Sequence, residues 1–120
     1  MHPYILIVDD DADVRDMLSA VLEEGGYRVA TAEDGLEALH YLGAHPPPFL
    51  IILDLMMPVM DGWQFLREQR KSPELASIPV AVFSADPQVE HLDCALRVKK
   101  PADLNRIFEL IEPFARQAGA

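Results

Sequence analysis

Cysteine occurs once, at Cys94, so the chain cannot close a disulfide on itself and suits a reducing compartment. Basic residues are scarce: 10 Lys and Arg stand against 20 Asp and Glu, for a formal charge of −10. So acidic a surface repels phosphate backbones and anionic headgroups, which argues against a direct nucleic-acid partner and against docking on a membrane. Long apolar runs are missing too. The stretch Tyr4–Val8 is far too short to span a bilayer. It has no basic segment before it and no small-residue cleavage pattern after it, so no signal peptide is expected and the expected location is cytoplasmic. The histidines His2, His40, His45 and His91 show no metal-ligand spacing and read as surface residues.

What is present suits one packed domain. At 120 residues, 50% hydrophobic and 25% charged, the chain has enough apolar material for one core and too little length for two. Five short β-rich runs, 4–8, 27–31, 49–53, 79–83 and 96–98, alternate with longer segments. The first and third are continuously apolar, as in strands buried on both faces. Between them Val14, Met17, Leu18, Val21 and Leu22 form a helical stripe that Asp11 or Asp13 can cap and that Gly25-Gly26 stops. A second helix is expected over 34–42 with Leu36, Leu39 and Leu42 inward, followed by the stiff connector Pro46-Pro47-Pro48. A third opens at Asp61-Gly62, carries Phe65 and Leu66, and ends before Pro73. The closing segment repeats Leu104, Ile107, Phe108 and Ile111, with Pro113 expected to kink or end it.

This alternation predicts an α/β fold: a doubly wound five-stranded parallel sheet with flanking helices, 1–120 being a single domain with no separate output domain. In such sheets chemistry sits at the carboxyl ends of the strands. Those ends carry Asp9, Asp10 and Asp11, then Asp54, Ser84 and Lys100. Any one of them alone is an ordinary turn former, cap or solvated side chain. Together they bring carboxylates, a hydroxyl and an ammonium to one crevice. Carboxylates about 4 Å apart repel by roughly 4 kcal/mol at an effective dielectric of 20. A hard divalent cation relieves that repulsion, and Mg2+ suits a site that also meets a phosphoryl oxygen.

The stretches Ile7-Val8-Asp9-Asp10-Asp11, Leu53-Asp54-Leu55-Met56-Met57-Pro58-Val59-Met60-Asp61-Gly62, Phe83-Ser84-Ala85 and Lys100-Pro101 resemble, in order and over essentially the whole chain, the receiver domain of two-component response regulators. The resemblance implies a flavodoxin-like fold and a phosphoacceptor at Asp54 that takes a phosphoryl group from a sensor histidine kinase or a histidine phosphotransfer protein. It further implies Mg2+ held by Asp9, Asp10, Asp54 and the backbone carbonyl of Met56, with Ser84 and Lys100 contacting the phosphoryl oxygens. Such a protein is not an enzyme with a separate substrate; it assists its own phosphorylation and dephosphorylation. It signals by binding a downstream protein target, and an exposed face near the last helix leaves room for a homodimer.

The sequence departs from the pattern twice. Only fifteen residues separate Ser84 from Lys100, and Asp86-Pro87 restricts where a helix can begin, so the fourth helix over 87–95 is expected to be short or irregular. Arg97 stands where the family usually places a switch aromatic, and an arginine cannot enter an apolar pocket without burying its charge. These departures favour the main alternative, a constitutive protein-interaction module that keeps the fold and signals without phosphorylation, while the intact acidic set and Lys100 oppose it. A flavodoxin-like cofactor binder would need a phosphate-cradling loop after the first strand, where three aspartates stand instead. An aspartyl-nucleophile phosphatase would use Asp9 and Asp11 and leave the Asp54 stretch unexplained. Cys94, Met57, Met60 and Trp63 read as packing residues.

Overall fold

In the computed structural model the chain is described over residues 3–85, 88, 94, 96–99 and 107–119. The elements run β1 (Tyr4–Val8), α1 (Ala12–Glu24), β2 (Arg28–Ala32), α2 (Gly35–Ala44), β3 (Leu50–Leu53), α3 (Gly62–Lys71), the single turn α4 (Pro73–Ala76), β4 (Val80–Ser84), β5 (Leu96–Lys99) and α5 (Ile107–Gln117). The strands form one sheet in the order β2-β1-β3-β4-β5, every pairing parallel. This is the doubly wound parallel arrangement that the alternating sequence predicts, and it agrees with the flavodoxin-like fold that the resemblance implies.

The strands show why both faces must be covered. Ile5, Leu6, Ile7 and Val8 are all fully buried, and successive side chains of a strand point to opposite faces. Leu6 and Val8 join Ile51, Leu53, Val80 and Val82 in a cluster closed by Ala38 and Leu42 of α2 and Phe65 and Leu66 of α3. Ile5 and Ile7 join Leu50, Ile52, Ala81 and Phe83 in a second cluster, closed by Leu18 and Leu22 of α1 and Ile107 and Ile111 of α5.

The helix stripes are narrower than the apolar spacing suggested. Met17 is 47% and Leu36 41% exposed. At 3.6 residues per turn Met17 lies well off the Leu18–Leu22 line, and in α2 the buried line is Gly35, Ala38 and Leu42, to which Leu36 does not belong. β2 begins at Arg28, leaving Tyr27 to stack on Phe108, ring centroids 6.4 Å apart. Pro113 neither ends nor starts α5, which continues to Gln117 because Ile107, Ile111 and Ala115 hold it to the sheet. Beyond α3, Pro73 opens the extra turn α4 as its first helical residue, where proline costs no hydrogen bond. The expected fourth helix over 87–95 lies outside the described residues, apart from Gln88 and Cys94.

At the opposite edge from the strand ends, Tyr4 donates its hydroxyl to the Pro46 carbonyl and meets the Tyr41 ring edge-on. Burial, followed by the neighbouring Tyr41, pushes the Tyr4 hydroxyl from 10.0 up to about 12. The protonated phenol is the favoured form, so this contribution to stability is whole below about pH 10 and is lost as pH rises towards 12. An absorbance titration of phenolate should show one midpoint near 12 that disappears in Tyr4→Phe.

Candidate functional site

The sheet order decides where the chemistry can sit. From β1 the chain winds outward to β2 on one side, then returns through β3 to β4 and β5 on the other. The carboxyl ends of β1 and β3 therefore flank the topological switch point, where a crevice opens between oppositely wound halves. Val8 ends β1 beside Leu53, the last residue of β3. The next residue after each is an aspartate. The Asp54 amide donates to the Val8 carbonyl (2.9 Å) and the Asp9 amide to the Ala32 carbonyl (3.2 Å), so a backbone hydrogen bond anchors each.

Asp9, Asp10 and Asp54 each bring a carboxylate oxygen to the same small region, these atoms lying within 4.8 Å of one another. Asp9 and Asp54 are only 4% and 7% exposed, whereas Asp10 faces solvent. The third acid of the run does other work. Asp11 is the N-cap of α1, accepting from the Asp13 amide (2.9 Å) and the Val14 amide (3.4 Å), while its own amide donates to Asp9 Oδ1 (3.0 Å). Of the two caps the sequence allowed, Asp11 is the one used.

The β3–α3 connection holds Asp54 from the other side. The Met56 amide donates to Asp54 Oδ1 at 3.3 Å, and the Met56 side chain is 59% exposed. Asp61 caps α3 in a reciprocal box, Gln64 amide to Asp61 Oδ1 (2.9 Å) and Asp61 amide to Gln64 Oε1 (3.1 Å). Between them Val59 takes φ 66°, a left-handed conformation that a β-branched residue rarely adopts. Gly62 then lies against the acceptor peptide: a Cβ there would stand 2.5 Å from the Asp54 carbonyl oxygen and 2.7 Å from Leu55 Cα. The same loop reaches α2, where the Gly35 amide donates to the Met60 carbonyl (2.9 Å).

Ser84 is the last residue of β4, fully buried on the strand next to β3, and its backbone pairs with Lys99 of β5. Lys100 follows β5 directly in the chain, but its placement lies outside the described residues. Arg97 sits exposed on β5 opposite Val82.

One residue of the site was not read from the sequence. Arg15, on the first turn of α1, donates from Nη1 to the Asp9 carbonyl (2.8 Å), and its Nη2 lies 3.9 Å from Glu33 Oε1. Its side chain is only 15% exposed.

The donor set is oxygen alone, with two carboxylates sheltered and a third at the mouth. That suits a small hard divalent cation such as Mg2+ and disfavours metals that want sulfur or imidazole. Among the described residues no helix is long and apolar enough to cross a membrane.

A family model described as response regulator receiver domain matches residues 5–112. The rice protein named two-component response regulator ORR7 (Oryza sativa subsp. japonica) is 34% identical over 113 residues, 87% of this chain and 54% of that protein, so the chain spans about half of this relative's length. The crystal structure of a response regulator receiver protein from Pseudomonas putida superposes with a TM-score of 0.85 at 32% identity, covering 94% of this chain and 98% of that one. The response regulator protein TrrA from Thermotoga maritima, crystallised in complex with Mg2+-BeF, superposes with a TM-score of 0.81 at 28% identity, covering 93% of this chain and 98% of that one.

Proposed function

We infer the role of the acidic edge from the premise that this chain belongs to the response regulator receiver domain family of two-component signalling: Asp54 accepts a phosphoryl group and its occupancy controls binding to another protein. The observation that carries this reading is the meeting of the Asp9, Asp10 and Asp54 carboxylates within 4.8 Å at the switch point of the sheet.

In the proposed transfer an Asp54 carboxylate oxygen attacks the phosphorus of a phosphohistidine on a sensor kinase or histidine phosphotransfer protein. The new O–P bond forms as the N–P bond breaks, and the imidazole leaves with the electron pair and takes up a proton. Asp9, Asp10, Asp54 and the Met56 carbonyl are the residues that would hold Mg2+. Bound there, Mg2+ supplies positive charge against the phosphoryl oxygens and the clustered carboxylates. The Met56 amide, already directed at Asp54 Oδ1, orients the acceptor. Ser84 is proposed to donate its hydroxyl to one phosphoryl oxygen and Lys100 its ammonium to another. The Met56 side chain is apolar and has no group to align an attacking water, which favours slow to moderate loss of the phosphoryl group.

The test is incubation with acetyl phosphate and Mg2+, followed by intact mass measurement. One phosphoryl addition is expected, sensitive to hydroxylamine and suppressed at least ~10-fold by excess chelator, since clustered carboxylates without a cation repel an anionic donor. No adduct with Mg2+ present would overturn the reading in favour of a constitutive interaction module.

A further inference from the structure

We propose that Arg15 is a positioning residue for divalent-cation binding, acting through the main chain of Asp9. The inference rests on the reading of the acidic cluster as a cation site.

Asp9 is tied at three points to three different places: its amide to Ala32 of β2, its Oδ1 to the Asp11 amide, and its carbonyl to Arg15 Nη1 at 2.8 Å. The last tie matters most for Asp10. The Asp9 carbonyl and the Asp10 amide belong to one planar peptide unit, so fixing the carbonyl fixes the plane from which Asp10 departs. Asp10 is the exposed member of the cluster, without the surrounding packing that immobilises Asp9 and Asp54. A guanidinium clamp on that plane is what keeps its carboxylate facing the other two.

Burial supports this assignment. An arginine near the start of a helix whose outer face is acidic ordinarily lies in solvent along the surface, yet the Arg15 side chain is only 15% exposed. Its second contact explains little of that. Glu33 is 67% exposed and 3.9 Å away, at the outer limit of an ion pair, where screening leaves little energy. Among the described residues, the short bond to the Asp9 carbonyl is therefore the contact that holds the guanidinium in place.

Arginine has two opposite effects on a neighbouring cation site. Its charge repels the cation, and its hydrogen bond presents the ligands. The two make opposite predictions for removal, so the sign of the change decides between them. A group that orients a metal ligand from behind is commonly worth ~10-fold or more in affinity.

The experiment is calorimetric titration of Mg2+ into the full chain as wild type, Arg15→Ala, Arg15→Lys and Glu33→Gln, with melting temperature in chelator measured alongside. Wild type should bind. Arg15→Ala should bind about 10-fold more weakly, Arg15→Lys should fall between the two, and Glu33→Gln should stay within about twofold of wild type. Arg15→Ala binding as tightly as wild type, or more tightly, would overturn the proposal and leave charge repulsion as the larger effect. If Arg15→Ala does not fold, Arg15→Lys decides: at least twofold weaker binding supports the clamp, and wild-type affinity sinks it. Failure of the wild type itself to bind Mg2+ would overturn the cation reading of the cluster and this inference with it.

Discussion

Asp54→Asn is expected to abolish the phosphoryl adduct completely while leaving the fold intact and the metal-free protein slightly more stable. An amide oxygen lacks the charge and nucleophilicity of a carboxylate, so no O–P bond forms. The side chain keeps its shape, and its Oδ1 can still accept from the Met56 amide that donates to Asp54 Oδ1 at 3.3 Å. Stability should rise because one of three mutually repelling charges is gone from a crevice where the acceptor is only 7% exposed. Solvent around Asp10 screens part of that repulsion, which leaves about 1–2 kcal/mol, or a few degrees in Tm. Intact mass after acetyl phosphate treatment reads the first effect, and thermal melts with and without Mg2+ read the second. Wild type should gain more from Mg2+ than the variant does, since a cation stabilises whichever state binds it more tightly. Persistence of the adduct in Asp54→Asn would move the acceptor to another residue.

Phe65→Ala should cost about 3–5 kcal/mol, the largest stability loss expected from a single truncation here. Phe65 is fully buried in the cluster where α2 and α3 close over β1, β3 and β4, a cluster that also contains Leu53, Leu55 and Val8. Those residues directly precede or follow the site aspartates, so the cavity opens under the floor of the crevice. Denaturant melts should show the midpoint falling, with a Tm drop of roughly 10–20 °C. Because the effect is on folding and not on the acceptor, phosphorylation of the remaining folded fraction should persist. A loss below about 1 kcal/mol would mean that α3 re-packs freely and does not hold the β3 end in place.

Much of this was legible in the residues because the chemistry and the fold use the same signals. Strands buried on both faces must be continuously apolar, so 4–8 and 49–53 announce a sheet interior, and an acid directly after such a run stands at the strand's carboxyl end. Asp9, Asp10 and Asp54 were found that way. Ser84 was identified as lying just past its strand and instead is its final residue, since register with Lys99 extends the ladder by one position. What the residues did not show depends on how the folded chain is placed in space. Arg15 has the spacing of an ordinary solvated helix residue, and only the turn from the end of β1 into α1 brings the Asp9 carbonyl, six residues back, within reach of its guanidinium. Met17 and Leu36 matched an apolar period yet lie beyond the edge of the stripe, because the sheet contacts a narrower arc of each helix than a three-and-four repeat implies. Pro113 reads as a stop when propensity alone is weighed, and apolar packing on both sides of it outweighs the missing hydrogen bond.

Gly62 gives the crevice a mechanical property of its own. With only a hydrogen where other residues carry a side chain, the opening turn of α3 rests directly on the peptide of Asp54 and on Leu55. No flexible rotamer lies between them to take up slack. A shift at the acceptor's backbone would therefore press directly on the opening turn of the helix, and the Met60–Gly35 bond extends the same linkage towards α2. Under the proposed phosphoryl transfer, gearing of this kind would carry a change at Asp54 to both helices that cover one face of the sheet.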